Sequence, residues 1–270
     1  SESEFKKQVK AQAALIEKYF GQKPTTFRNT ELIYSDAIGE VVAGMGYKVM
    51  LAEGAKHVLG WKSPNYVYTN AINPRLKVLL RNFSLSDDIA FRFSKQGWES
   101  WPLTADKYEA FGEHQNESTG IFEFLKALPE AIISTGEIEF ATPKEVAVKH
   151  QPVAAINVPY PISWADEERD TSAWLGNELQ DEAFHKLYSI QAKVVKTKDE
   201  ELLKVYRQLQ ESDHFYYMCT KFFSDGAVHT YFNPYDTPYE AFINYMNVLS
   251  DLMIRVEDKL KTVTKKKKSE

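Results

Sequence analysis

Two glutamates follow short segments whose residues predict β-strands. Glu31 comes directly after the extended piece TFRNT, and Glu53 comes directly after KVMLA, a short apolar run bounded by glycines. In α/β barrels the catalytic groups collect at the carboxyl ends of the strands, so both side chains are candidate catalytic carboxylates. Salt bridging at the surface is the alternative explanation for each of them.

A second group of reactive residues lies in Tyr108–Gln115 (YEAFGEHQ), which contains Glu109, Glu113 and His114. Two acids and an imidazole this close together could serve proton transfer or metal binding. No second histidine or cysteine stands at ligand spacing, so we expect no zinc site. A structural hydrogen-bond cluster is the alternative explanation.

Two further segments mix charged and aromatic residues. Ile162–Asn177 (ISWADEERDTSAWLGN) carries two tryptophans, one of them Trp164, around a run of charges, and Ser212–Met218 (SDHFYYM) sets the pair Asp213 and His214 among aromatic side chains. Flat aromatic faces suit the apolar faces of sugar rings. Helix packing with satisfied polar groups explains the same patterns, and composition alone does not separate the two.

Motifs and composition exclude several other functions. The sequence contains no G-x-x-x-x-G-K-[ST], G-x-G-x-x-G or G-x-S-x-G motif. Its 33 basic and 38 acidic residues give a net charge of −5 without a basic stripe, which argues against a nucleic-acid partner. No apolar run approaches the ~20 residues of a membrane span, so we expect no membrane partner. The lone Cys219 and the charged first twenty residues favour a cytoplasmic protein.

Strands alternate with short helices along the first half of the chain, which predicts βα units and a mostly parallel sheet. The predicted fold class is therefore α/β. The predicted helices are Phe5–Phe20 and Asp36–Met45, and the predicted strands are Lys48–Ala52, Tyr66–Tyr68 and Leu76–Leu80.

The pattern changes near residue 133. Ser134–Val158 reads as irregular, and Ser163–Asp166 has capping-box spacing that predicts the start of a helix carrying Phe184. A stripe of apolar residues from Phe242 to Leu260, at spacings of three and four, predicts a helix that packs in a bundle. The predicted regions are an α/β part over 1–133, a mainly helical part over 134–264, and a charged, solvated tail over 265–270.

Long strings of this sequence resemble the α-amylase branch of glycoside hydrolase family 57. The resemblance runs along nearly the whole chain in order. It is carried by Phe27–Asp36 (FRNTELIYSD), Glu53–Asn65 (EGAKHVLGWKSPN), Leu79–Phe93 (LLRNFSLSDDIAFRF), Glu109–Leu128, Pro161–Gln180, Ser212–Lys221 and Phe232–Leu249.

The resemblance implies a partial (β/α)7-type barrel followed by a helical C-terminal region that closes over the site. It implies a retaining reaction on α-1,4-glucans such as starch and maltodextrin, with a Glu nucleophile, an Asp acid/base, and no metal or organic cofactor. An α-glucan or maltooligosaccharide is the implied partner, and Glu31 matches the family's nucleophile. The residues that resemble its sugar-binding positions are Trp61, Glu109, His114, Trp164, Asp213 and His214.

The sequence departs from the family pattern at the acid/base position. In the family this Asp immediately precedes the tyrosine of a Y-E-x-F-G-E-H-Q word, but here Lys107 precedes Tyr108. Trp101–Lys107 (WPLTADK) resembles a helix start that normally comes earlier, as if a helix and the acid-bearing strand were cut out. Asp106 belongs to that upstream motif, so we do not assign it the acid role. An exposed lysine, with a pKa near 10, cannot replace a carboxylic acid.

The family's opening strands, which bear a His-Gln-Pro motif, are also missing upstream of Glu31. A barrel that has lost strands exposes unpaired edges, which self-association or a partner chain could cover. Three hypotheses remain open at this point. The chain is an active hydrolase or transferase with an unidentified acid, a non-catalytic glucan-binding or regulatory protein, or a truncated family member.

Overall fold

A computed structural model describes residues 1–87, 111, 115–223 and 233–266 of the chain. The chain forms two compact units, Ser1–Trp164 and Ala165–Glu270. The units divide at Trp164 rather than near residue 133. This is because the residues after 133 add a strand to the sheet of the first unit, and Ile162 forms a β-bridge with Tyr34.

The first unit contains a five-stranded mixed sheet. Its strands are β1 (Thr26–Arg28), β2 (Val49–Glu53), β3 (Val67–Asn70), β4 (Lys77–Arg81) and β5 (Ala154–Ile156), in the spatial order β1-β2-β4-β3-β5. Strands β1, β2 and β4 are parallel, β3 is antiparallel to β4, and β5 is parallel to β3. The α/β class predicted from the sequence is confirmed. Strand β3 runs against β4 because the short connection between them leaves no room for a crossover.

Two of the helix ends in this unit show ordinary capping chemistry. The Ser35 side chain accepts a hydrogen bond from the Ile38 amide at the start of the second helix, and Gly21, with φ of 66°, ends the first. The helices are α1 (Glu2–Phe20), α2 (Asp36–Gly44), α3 (Lys56–Leu59), α4 (Phe83–Asp87), α5 (Ile121–Thr135) and α6 (Pro143–Lys149). The apolar core beside the sheet includes Val42, Met50 and Val78, each of them fully buried.

The segment Ser134–Val158 contains regular structure, so the prediction that it is irregular was wrong. Helix α6 begins with a complete capping box. The backbone N–H of Glu145 donates to the Thr142 hydroxyl, and the backbone N–H of Thr142 donates to the Glu145 carboxylate. Pro143 occupies the first turn, where a missing N–H costs nothing. Strand β5 follows and depends on pairing with β3, a contact that no local pattern reveals.

A buried polar network joins α2, β3 and the chain beyond β5. The side-chain nitrogen of Asn70 (Nδ2) donates to the Tyr34 hydroxyl at 2.8 Å and to the backbone carbonyl of Asp36 at 3.0 Å. The Asp36 carboxylate accepts from the Val158 amide at 2.6 Å. Burial is also the main reason that the pKa of Tyr34 is raised, so its hydroxyl stays protonated. The network therefore holds the turn after β1 against the sheet.

We expect Asn70→Ala to lower the free energy of unfolding by about 2–4 kcal/mol, because several buried partners lose their bonds at once. Urea unfolding measures the change. Asn65→Ala is the matched control, since Asn65 is exposed and should change stability by less than about 0.5 kcal/mol. Equal small losses in both variants would contradict a supporting role for the network.

The second unit is helical in the part that the structure describes. Its helices are α7 (Glu178–Ser189), α8 (Gln191–Thr197), α9 (Glu200–Gln208), α10 (Ser212–Tyr216) and α11 (Pro238–Lys266). Helix α11 packs against α7, α8 and α9. Of the predicted apolar stripe, Leu249 and Val256 are buried, and the other members are partly buried. Helix α11 includes the first two residues of the predicted tail. Among the described helices, none has both the length and the apolar content to cross a membrane.

The helix predicted to start at Ser163 does not form, and α7 begins later, at Glu178, with Asn177 as its cap. Residues 163–177 are turns and irregular structure. Asp166 and Arg169 have positive φ angles of 52° and 54°, which a right-handed helix excludes. The capping-box spacing was therefore misleading at this position.

Candidate active site

The carboxyl ends of β1, β2 and β4 share one edge of the sheet because these strands are parallel. Arg28, Glu53 and Arg81 are the last residues of the three strands. Glu31 follows β1 in a short 3-10 turn, Thr30–Leu32. Both glutamates singled out in the sequence thus lie at this edge, which is where α/β enzymes place reacting groups.

The backbone at Glu31 adopts an unusual conformation. Glu31 has φ 54° and ψ 20°, and Leu32 has φ 51°, so two consecutive non-glycine residues are left-handed. Asn29 braces the turn, accepting from the Thr30 amide and donating to the Ile33 carbonyl, both at 3.1 Å. Such conformations cost free energy and persist only where the surroundings enforce them. The turn presents the Glu31 side chain beyond the end of β1.

The half-buried Glu31 carboxylate is held by a residue distant in the sequence. The indole N–H of Trp164 donates to Glu31 Oε2 at 2.6 Å, and the Trp164 amide donates to the Glu31 carbonyl at 3.2 Å. The guanidinium carbons of Arg28 and Arg81 lie over the Trp164 ring, 4.9 and 5.8 Å from its centroid. The side chain and the backbone of Glu31 are therefore both anchored to one residue.

Glu53 makes a buried ion pair rather than a surface salt bridge. Its Oε2 accepts from Arg81 Nε at 2.6 Å, and Arg81 Nη1 donates to Asp87 Oδ1 at 3.1 Å. The side chains of Glu53 and Arg81 are 0% and 1% exposed. A fully buried carboxylate paired in this way cannot attack a substrate, so Glu53 supports the edge structurally.

Of the predicted site residues, the structure brings Glu31 and Trp164 into direct contact. Trp61 follows α3 and is 94% exposed, which leaves its ring available for stacking. Asp213 and His214 lie on α10 of the second unit, where the His214 ring is 5.5 Å from that of Tyr245. Five other positions considered from the sequence lie outside the described residues, namely Asp106, Lys107, Glu109, Glu113 and His114.

Arg28 and Arg81 were not singled out in the sequence, although both end strands at the same edge as the glutamates. The available signal was their position, since Arg81 immediately follows the predicted strand Leu76–Leu80. Within the described ranges, no three His, Cys, Asp or Glu side chains cluster as metal ligands.

Comparison with known proteins identifies the family of this chain. The family model for glycosyl hydrolase family 57 matches residues 1–159, which include Glu31 and the sheet. The chain therefore belongs to glycosyl hydrolase family 57, as the sequence resemblance indicated.

A protein of Methanocaldococcus jannaschii named "Putative alpha-amylase" is 40% identical over 289 residues, covering 96% of this chain. The chain spans only 61% of the length of that relative. The match extends over 289 residues, whereas this chain has 270. At least 19 residues of the relative within the matched region therefore have no counterpart in this chain.

We expect Glu53→Gln to lower the free energy of unfolding by about 3 kcal/mol, because it leaves the buried Arg81 charge incompletely balanced. Urea unfolding again gives the value. Glu123→Gln is the matched control, because Glu123 pairs with Lys126 at the surface and should lose less than about 0.5 kcal/mol. A loss below about 1 kcal/mol for Glu53→Gln would argue against the structural role of the buried pair.

Proposed function

We propose that the chain is an α-amylase-like protein directed at α-1,4-glucans, with Glu31 as its nucleophile and with impaired catalysis. The observation that carries the proposal is the Glu31 carboxylate, anchored by Trp164 at the carboxyl edge of parallel strands in a chain of glycosyl hydrolase family 57. The match of this position to the family's nucleophile adds support.

A retaining reaction needs two carboxyl groups about 5–5.5 Å apart. In the first step a Glu31 oxygen forms a bond to the anomeric carbon while the bond to the leaving oxygen breaks. The second carboxyl group protonates that oxygen and later takes a proton from the attacking water, which releases Glu31. Lys107 stands where the sequence pattern expects this second group, so proton transfer to the leaving oxygen is the impaired step.

We further propose that the sheet is part of a partial (β/α)7-type barrel. The parallel β1, β2 and β4 with their functional carboxyl edge support this architecture. Strands β1 and β5 are the outer strands of the described sheet, and a second copy or a partner chain could pair with either one.

A substrate that needs no proton donor tests the proposal. In α-maltosyl fluoride, fluoride leaves without protonation, so Glu31 can form the glycosyl-enzyme even when the acid is lost. We expect turnover of α-maltosyl fluoride, with release from the intermediate accelerated by azide, which attacks without a general base. Hydrolysis of maltoheptaose should be slower by about 10²–10⁴-fold than in a family member with an intact acid.

Variants assign this activity to the proposed group. Glu31→Gln should abolish fluoride release, because the amide cannot attack the anomeric carbon. Glu40→Gln, which changes an exposed glutamate of α2, should leave the rate unchanged. Maltoheptaose hydrolysis at the rate of an intact enzyme would show that another acid works, and Asp106, Glu109 and Glu113 would then be tested.

A non-catalytic glucan-binding protein is the second candidate function, favoured by the exposed Trp61 ring and by Lys107 at the acid position. Binding of maltoheptaose without any fluoride release would support this function over the first.

We expect Trp61→Ala to weaken maltoheptaose binding by up to about tenfold, because a stacking aromatic face contributes roughly 0.5–1.5 kcal/mol. Isothermal titration calorimetry measures the dissociation constant. Tyr19→Ala removes an aromatic ring on α1 that is 70% exposed and should leave the constant unchanged. Equal effects of the two variants would exclude a specific platform at Trp61.

A further inference from the structure

We infer that Trp164 is a positioning residue that acts through Glu31, rather than a platform for sugar stacking. The inference rests on the proposed nucleophilic role of Glu31 and deepens it. It assigns to the indole N–H the task of orienting the attacking carboxylate.

Two hydrogen bonds from Trp164 reach Glu31 at different points. The indole N–H holds one carboxylate oxygen at 2.6 Å, and the backbone N–H holds the Glu31 carbonyl at 3.2 Å. With the left-handed backbone at Glu31, these bonds define the side-chain direction at both ends. Holding Oε2 also fixes the direction of Oε1. An oriented carboxylate attacks faster because less rotation must be frozen in the transition state.

The cations over the Trp164 ring strengthen and orient the indole N–H of Trp164 as a hydrogen-bond donor. The Arg28 and Arg81 guanidinium carbons lie 4.9 and 5.8 Å from the ring centroid. Positive charge over the π system attracts its electrons and makes the indole N–H a stronger donor. Arg81 is itself fixed by the buried pair with Glu53, so one of the two cations cannot drift away.

The same contacts disfavour a stacking role for this tryptophan. Stacking against a pyranose needs an accessible ring face, but the Trp164 ring is partly buried and has two guanidinium groups over it. Trp61, at 94% exposure, offers the kind of surface that Trp164 lacks.

Covalent labelling of the full chain separates positioning from binding. The probe is 5-fluoro-α-D-glucosyl fluoride, which transfers its sugar to the nucleophile as fluoride leaves. We expect Trp164→Phe, which keeps a ring but removes the N–H, to lower the maximal labelling rate by about 10- to 100-fold. The concentration for half-maximal rate should stay within about twofold, because the hydrogen bond acts on attack and not on sugar binding.

Control variants distinguish a specific effect on labelling from partial unfolding of the protein. Trp174→Phe makes the same exchange in the second unit and should leave labelling unchanged. Arg28→Gln removes one cation from an exposed position, should lower the maximal rate by a smaller factor, and is compared with Arg75→Gln, another exposed arginine of the first unit. A Trp164→Phe protein that binds the probe more weakly at an unchanged maximal rate would overturn the inference in favour of stacking.

A second measurement is independent of catalysis. The indole ¹H–¹⁵N resonance of Trp164, identified by its loss in Trp164→Phe, should move in Glu31→Gln, whereas that of Trp61 should not. An unmoved Trp164 resonance would overturn the inference. If the resonance moves in Glu31→Gln but the fluoride probe does not react with the wild-type protein, both the proposed function and the positioning role are overturned. If the resonance moves in Glu31→Gln but Trp164→Phe reacts with the fluoride probe at the wild-type rate, only the positioning role is overturned.

Discussion

The first unit depends on how the buried charge of Arg81 is balanced. Its guanidinium donates to Glu53 and Asp87, and it also lies over the Trp164 ring. An ionised group removed from water is tolerated only when opposite charge and hydrogen bonds replace its hydration. The ends of β2 and β4 and helix α4 must therefore meet at this point. The indole that lies against Arg81 then holds Glu31, so a structural charge pair and the candidate nucleophile belong to one set of contacts.

The contacts described for the proposed nucleophile lie within the first unit. Its own turn and Trp164 hold Glu31, and two arginines lie over the Trp164 ring, all within the first unit. We propose that the two halves of the retaining reaction are separable here, with attack preserved and proton donation impaired.

Local sequence signals succeeded where an element is determined by its own residues. Strand β2 is a continuous apolar run, and apolar residues repeat at helical spacing along α11, so the strand and the helix were both predicted from local pattern. Helix α6 was missed although its capping box, Thr142 with Glu145, was legible in the sequence. The helix predicted from Ser163 failed because hydrogen bonds to Glu31 and left-handed residues beyond Trp164 replace the expected first turn.

The sequence by itself determined the α/β class, several helices and strands, the family, and Glu31 as the residue matching its nucleophile. Only the tertiary structure decided that Glu53 is buried against Arg81 and that Trp164, 133 residues away, donates to Glu31. The physical reason is the range of the signals involved. Periodicity and capping act over one or a few turns of chain, whereas charge pairing and long-range hydrogen bonds depend on strand order and register, which no short segment encodes.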